Sequence, residues 1–140
     1  MTPLNFKKLL ETYAEAAFKK DEAALLAIYD KDVLTFDMWE HWSLQGIDAM
    51  RTLVRGWFAS TGEDRDRVSF ELIRTVEGAD LAMAEAIVTF AAVNSAGEVL
   101  RSMQNRLTWV AAPKNGQWLV IHQHTSSPID PNTTGVIFNR

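Results

Sequence analysis

The stretch Leu81-Ala82-Met83-Ala84-Glu85-Ala86-Ile87-Val88-Thr89-Phe90-Ala91-Ala92-Val93, followed by Asn94-Ser95-Ala96-Gly97 and then Val99 onward, decides the fold. Its even positions Ala84, Ala86, Val88 and Phe90 are all apolar, whereas the odd set includes Glu85 and Thr89. Period-two patterning of this kind marks a strand with one buried face, and the Asn-Ser-Ala-Gly cluster marks the turn that ends it. The same reading extends to Arg67–Val76, Val99–Ala111 and Gln117–Ser126, separated by 77–80 and 112–116, both rich in turn formers. Short links between consecutive strands predict an antiparallel meander. Side-chain alternation predicts an inner face of Val68, Phe70 and Leu72, then Ala84 to Phe90, then Met103, Leu107 and Trp109, then Leu119 and Ile121.

Upstream of residue 61 the period changes. Thr2 and Pro3 read as the cap and first residue of a helix carrying Phe6, Leu9, Leu10, Tyr13, Ala17 and Phe18 at three- and four-residue spacing. Asp21 caps a second, shorter helix through Leu25, Leu26, Ile28 and Tyr29, which Asp30-Lys31-Asp32 ends. Val33–Phe36 reads as a short strand, and Gly46–Ser60 as a third helix bearing Ile47, Met50, Val54, Trp57 and Phe58, closed by Thr61-Gly62. Helices first and strands afterwards predict an α+β domain with the helices on one face of a curved sheet. The 140 residues make one domain, 1–140, with 127–140 a C-terminal tail whose Val136-Ile137-Phe138 is too apolar for a solvated end.

Composition narrows the function. Apolar residues make up 47% and charged residues 23%, the balance of a globular domain rather than a disordered one. A net charge of −4 with interleaved signs gives no basic face for nucleic acid. No apolar run is long enough to cross a membrane or to serve as a secretion signal. The absence of cysteine excludes disulfides and thiolate chemistry, and fits a cytoplasmic location. No glycine-rich phosphate loop is present, so no cofactor is expected.

Four groups of residues bear on chemistry. Asp37 leaves a strand and enters Met38-Trp39-Glu40-His41-Trp42; a carboxylate among aromatics is desolvated and becomes a better base, while the alternative is a turn aspartate capping its own backbone. Symmetric closure of the turns sets Glu85 opposite Arg106 and Arg106 opposite His122, with His124 beside them, a row on the outer face read either as a homodimer contact or as catalytic. His122 and His124 point the same way, but a metal needs another ligand and none is fixed, so no metal is expected. On the inner face the same register sets Asn105 beside Gln123, with Thr125 one step on, amid Phe90, Trp109 and Ile121. Buried amides there need partners, and either satisfy each other or bind a ligand.

The string Trp118 to Pro128, containing His122-Gln123-His124-Thr125-Ser126, preceded by Arg106-Leu107-Thr108-Trp109 and a turn at Gly116, resembles the SnoaL-like group of the nuclear-transport-factor-2-like superfamily. It is also similar to the association domain of calmodulin-dependent kinases. Tyr29-Asp30-Lys31-Asp32-Val33, Phe36-Asp37 and Gly46-Ile47-Asp48 look like the first half of the same superfamily. The resemblance implies a cone-shaped α+β fold with N-terminal helices on a strongly curved antiparallel sheet, and a pocket within the cone. Compared with ketosteroid isomerase, Asp37 matches the base and Tyr13 the oxyanion donor. Asn105 falls near the place of the third group. The implied function is cofactor-independent proton transfer on an apolar carbonyl compound, with Trp39, Trp57, Phe90, Trp109, Gln123 and Thr125 binding it and the tail covering the mouth. The alternative is a non-catalytic ligand-binding or dimerisation module of the same fold, pairing through Glu85, Arg106, His122 and His124.

Overall fold

A computed structural model describes residues 2–140 of the chain. In order, the elements are α1 (Phe6–Lys19), α2 (Glu22–Leu26), β1 (Tyr29–Phe36), β2 (Leu44–Gln45), α3 (Ile47–Ser60), β3 (Arg65–Glu77), β4 (Ala82–Val93), β5 (Val99–Lys114) and β6 (Gln117–Ser126). The first helix begins later than the Thr2-Pro3 signal predicts. Asn5 is its cap, because its side-chain oxygen reaches the Lys8 N–H at 3.0 Å, one of the donors the first turn leaves unpaired. Asp21 caps α2 as expected, accepting from Ala24 N at 3.1 Å. Asp30-Lys31-Asp32 does not end α2: those residues lie inside β1. The α1 stripe buries Phe6, Leu10, Ala16 and Ala17, whereas Phe18 turns outward beneath the Arg65 guanidinium.

The six strands form one sheet in the order β2-β1-β6-β5-β4-β3. The meander β3–β6 is antiparallel throughout, and β1 joins it parallel to β6. The helices cover one face, and the core beneath them includes Leu25, Val33, Met50, Val54, Val88, Trp109 and Val120. No helix among the described residues is long and apolar enough to cross a membrane.

Three irregularities decide which side chains meet. Between Leu72 and Arg74 the β3–β4 register slips, and from Glu71 to Glu77 every residue of β3 is exposed, so Leu72 is not on the covered face as its parity suggested. At the other hairpin, Asn115 and Gly116 both adopt positive φ (51° and 85°) and Lys114 pairs with Gln117, a two-residue turn matched to the twist of the strands. A bulge between Val110 and Ala111 then slips β6, so that Val120, Gln123 and Thr125 face inward and Leu119 and Ile121 lose the inner positions predicted for them. The outer row changes too. Glu85 stands opposite Thr108, Arg106 opposite Ile87 and Ser126, and His122 opposite Val110, because a tight turn and bulges replace the symmetric loops. Glu85 therefore pairs with Arg74 at 2.5 Å rather than with Arg106. Gly116→Ala forces a Cβ into left-handed backbone, and is expected to lower stability by about 1 kcal/mol in a denaturant titration.

Candidate functional site

Inside the cone, residues of alternate parity on four neighbouring strands converge beneath α1. Phe70 comes from β3, Val88 and Phe90 from β4, Asn105, Leu107 and Trp109 from β5, and Gln123 and Thr125 from β6, while Tyr13 reaches down from the helix. The Tyr13 ring lies 5.8 Å from Phe70 and 5.9 Å from Trp109, both edge-on, and stacks on Trp57 at 6.1 Å. Such contacts hold the ring in place on the cavity wall. The cavity they enclose is about 10 Å³, room for about one water molecule, not the open apolar pocket the sequence suggested. Large aromatics fill most of what small Ala84 and Ala86 leave free.

Polar groups punctuate this apolar wall. Gln123 is buried, and its Oε1 accepts from the Tyr29 hydroxyl at 2.5 Å and from the Trp109 indole N–H at 2.8 Å. Asn105 is 7% exposed, and its Nδ2 approaches the Met38 sulfur at 3.4 Å. Its Oδ1 is the one buried side-chain oxygen or nitrogen without a partner among the described residues. Asn105 and Gln123 are not neighbours as predicted: Trp109 pairs with Gln123, Leu107 with Thr125, and Asn105 lies a further step toward the mouth. Burial first, then the carboxylates of Asp37 and Asp66, push the Tyr13 phenol upward, so it remains an O–H donor at every physiological pH. The role of Asp66, which also accepts the Trp57 indole N–H at 2.5 Å, was not legible from local pattern because the contact depends on how α3 sits over β3.

Asp37 lies at the end of β1, beside the hollow rather than on its wall. Its Oδ1 accepts from the Thr125 hydroxyl at 3.3 Å, and its Oδ2 from Trp39 N at 3.2 Å. The second bond is the self-capping turn that the alternative reading of this residue described. Burial raises the Asp37 pKa above the ordinary aspartate value, and the bonds from Trp39 and Thr125 partly offset that rise. Thr125 thus links the carboxylate to the hollow it lines.

The predicted binding residues divide cleanly. Phe90, Trp109, Gln123, Thr125, Tyr13 and Asn105 line the hollow. Trp57 stands behind Tyr13, and Trp39 is 50% exposed and stacks on Phe138 at 5.8 Å, so neither lines the cavity. Met38, which no sequence signal singled out, lies beside the hollow at Asn105, its sulfur near both Asn105 and Ser127. The tail is held by the β5 backbone and by the outer face of the sheet, the side of Thr89 and Ile87. Phe138 O accepts from Gln104 N at 2.6 Å, Gln104 Oε1 accepts from Arg140 N at 3.1 Å, and the Arg140 guanidinium pairs with Glu71 at 2.8 Å.

On the far side of the sheet, His122 places Nδ1 2.7 Å from Leu34 O; a carbonyl only accepts, so that nitrogen carries the proton. Phe36 packs edge-on against both His122 and His124, whose rings are 6.3 Å apart. No group of three or more histidine, aspartate or glutamate side chains with metal-binding geometry occurs among the described residues. Glu85, Arg106, Thr108, His124 and Ser126 line an open groove of about 340 Å³ with Ile73 and Ile87.

This architecture has known counterparts. An NTF2-like protein of unknown function from Pseudomonas putida KT2440 superposes with a TM-score of 0.79 at 24% identity, over 96% of this chain and 92% of its own. A ketosteroid isomerase-like protein from Erwinia carotovora atroseptica SCRI1043 gives 0.70 at 20% identity, over 87% and 94%. A proposed calcium/calmodulin-dependent protein kinase II association domain from Xanthomonas campestris gives 0.67 at 17% identity, over 86% and 84%. At these identities the likeness establishes the fold alone. No curated protein matches the chain. The pattern of the SnoaL-like domain, however, matches residues 7–130, nearly the whole chain. The chain belongs to the SnoaL-like domain family.

Proposed function

We propose that this SnoaL-like domain binds a small, mostly apolar, carbonyl-bearing molecule in its cone and moves a proton on it without a cofactor. The observation that carries the reading is the unpartnered Oδ1 of Asn105, buried in an aromatic hollow. An unpaired buried polar atom costs about 1–3 kcal/mol, and a chain that keeps one gains from leaving it ready for a ligand. The ligand enters past the unbranched Met38 side chain, which lies against Asn105 and repacks readily. Asp37 then acts as base. Its carboxylate takes a proton from the carbon next to the carbonyl, the C–H electron pair becomes the new C=C bond, and the carbonyl electron pair collects on oxygen. Tyr13 donates to that oxygen, and in a dry hollow a fixed donor is worth most as charge develops.

Acetophenone in D2O tests this reading directly. The expected result is protein-dependent deuterium incorporation into its acetyl methyl group, with NMR shifts confined to amides of β4, β5 and β6 beside the hollow. Binding without exchange removes the catalytic half, and no binding by this or other small ketones removes the whole. A second reading has its own support: the Trp39 bond to Asp37 is a backbone cap, and the cavity is nearly filled, as suits a non-catalytic module.

The outer groove supports a homodimer within either reading. Ile73 is 57% exposed beside Arg106 and His124, and a second copy covering that face removes apolar surface from water. Ile73→Glu, which sets a charge in such a contact, is expected to convert a dimer to monomer in sedimentation velocity. An unchanged sedimentation coefficient for a dimeric protein places the interface elsewhere.

A further inference from the structure

The two amides of the hollow have opposite polarity, and each is set by a partner that can act in only one sense. An indole N–H is a donor and nothing else, so the Gln123 atom facing Trp109 is its oxygen. The Tyr29 hydroxyl occupies the same Oε1, and both N–H bonds of Gln123 are left for the hollow that the residue lines. A thioether sulfur only accepts, so the Asn105 atom facing Met38 is its NH2, and the orphan is a carbonyl oxygen. We infer that Gln123 is the ligand's hydrogen-bond donor and Asn105 its acceptor, so that the ligand presents an acceptor oxygen to the deep end of the cone and a hydroxyl or N–H to the mouth.

The inference rests on the ligand-binding reading above and sharpens it. Gln123 pairs with Trp109, and Asn105 lies four residues earlier on β5. At about 3.4 Å per residue the two levels are roughly 14 Å apart along the strand. Two hydrogen bonds of about 2.9 Å leave roughly 8 Å between the ligand's polar atoms, close to the length of a para-substituted ring. Leu107 and Thr125 stand at the level between them, Phe70 and Val88 are level with Asn105, and Phe90 lies one step beyond, so a mostly apolar wall flanks a ring body. Asn105 thereby becomes a selector: its oxygen repels a carbonyl or enolate at the mouth and rewards a hydroxyl. Charge forming on the carbonyl oxygen belongs at the Gln123 end of the hollow, which Tyr13 also lines.

Four matched probes separate the possibilities by calorimetry and NMR titration of the whole chain at pH 8: 4-hydroxyacetophenone, acetophenone, 4-ethylphenol and ethylbenzene. The expected order is 4-hydroxyacetophenone tightest, ethylbenzene weakest, each hydrogen bond being worth about tenfold. Asn105→Leu is expected to weaken the two hydroxyl-bearing probes about tenfold and to leave acetophenone within about twofold. Gln123→Glu keeps the oxygen that Trp109 and Tyr29 require while removing the donor, and is expected to weaken the two ketones about tenfold and spare 4-ethylphenol. Wild-type protein that binds ethylbenzene as tightly as 4-hydroxyacetophenone, or an Asn105→Leu variant that weakens all four equally, overturns the polarity assignment while leaving the hollow a binding site. If none of the four shifts any amide beside the hollow, the binding reading itself fails and takes this inference with it. The wild-type ranking stands whether or not the variants fold.

Discussion

Asp37→Asn is expected to lower acetyl deuterium exchange by about 10²–10⁴-fold, the usual contribution of a general base, while the protein stays folded. Asparagine is nearly isosteric, and its oxygen still accepts from Trp39 N or from Thr125, so the turn after β1 survives. What it cannot do is take a proton. Stability supplies an independent check through pH. Burial holds the Asp37 carboxyl above its ordinary value of 3.8, so the folded protein binds this proton more tightly than the unfolded chain. Stability from this group therefore falls as pH rises from 3.8 through the folded-state pKa, and the burden is fully present above it. Relative to wild type, Asp37→Asn is expected to melt higher at neutral pH than at pH 3, measured by thermal denaturation at both. In the wild type, exchange should rise with pH through the same raised pKa and then level. Undiminished exchange in Asp37→Asn assigns the base elsewhere and leaves the turn cap as the residue's whole role.

Trp109→Ala carries the largest expected cost in stability. The side chain is 0% exposed and packs against Tyr13, Tyr29 and Phe70. Truncating a fully buried tryptophan costs about 3–5 kcal/mol, from lost transfer energy plus the cavity left behind. In a chain of this length that corresponds to a melting temperature lower by roughly 10–20 °C. The same substitution removes one of the two donors that orient Gln123. The enlarged hollow should then admit ethylbenzene and similar apolar probes more readily while discriminating less well against a missing carbonyl. Calorimetric melting and the probe titration read the two effects separately. A melting temperature within about 3 °C of wild type contradicts a core role for this residue.

Particular residues mark how far local pattern reaches. The even set Ala84 to Phe90 was legible as an inner face because side-chain direction along a strand is a property of the strand alone. The same held for α3, where one apolar stripe carries Met50 and Val54 into the core. Asn105 shares the parity of Leu107 and Trp109 on β5, and it lines the hollow with Tyr13 of the first helix's apolar stripe. In β6 the logic failed. One bulge opposite Val110 reverses parity partway along the strand, exchanging Ile121 for Val120 on the inner face, and nothing within Gln117–Ser126 announces it. The pairing of Glu85 and Arg106 failed likewise, since the turn after Val93 and a register shift between Ala92 and Val93 move partners along the strands without moving them off the face.

The sequence by itself determined the α+β class, the order of elements, the antiparallel meander and the membership of the inner face over most of its length. Those follow from period and turn chemistry, which each segment carries within a dozen residues. Only the tertiary structure decided that the cone is nearly filled, that Met38 comes to lie against Asn105, and that Gln123 and Asn105 meet partners of opposite kind. Each of those depends on groups far apart in the chain, as when the Tyr29 hydroxyl meets Gln123, and no local rule specifies which atom of an amide such a partner will claim.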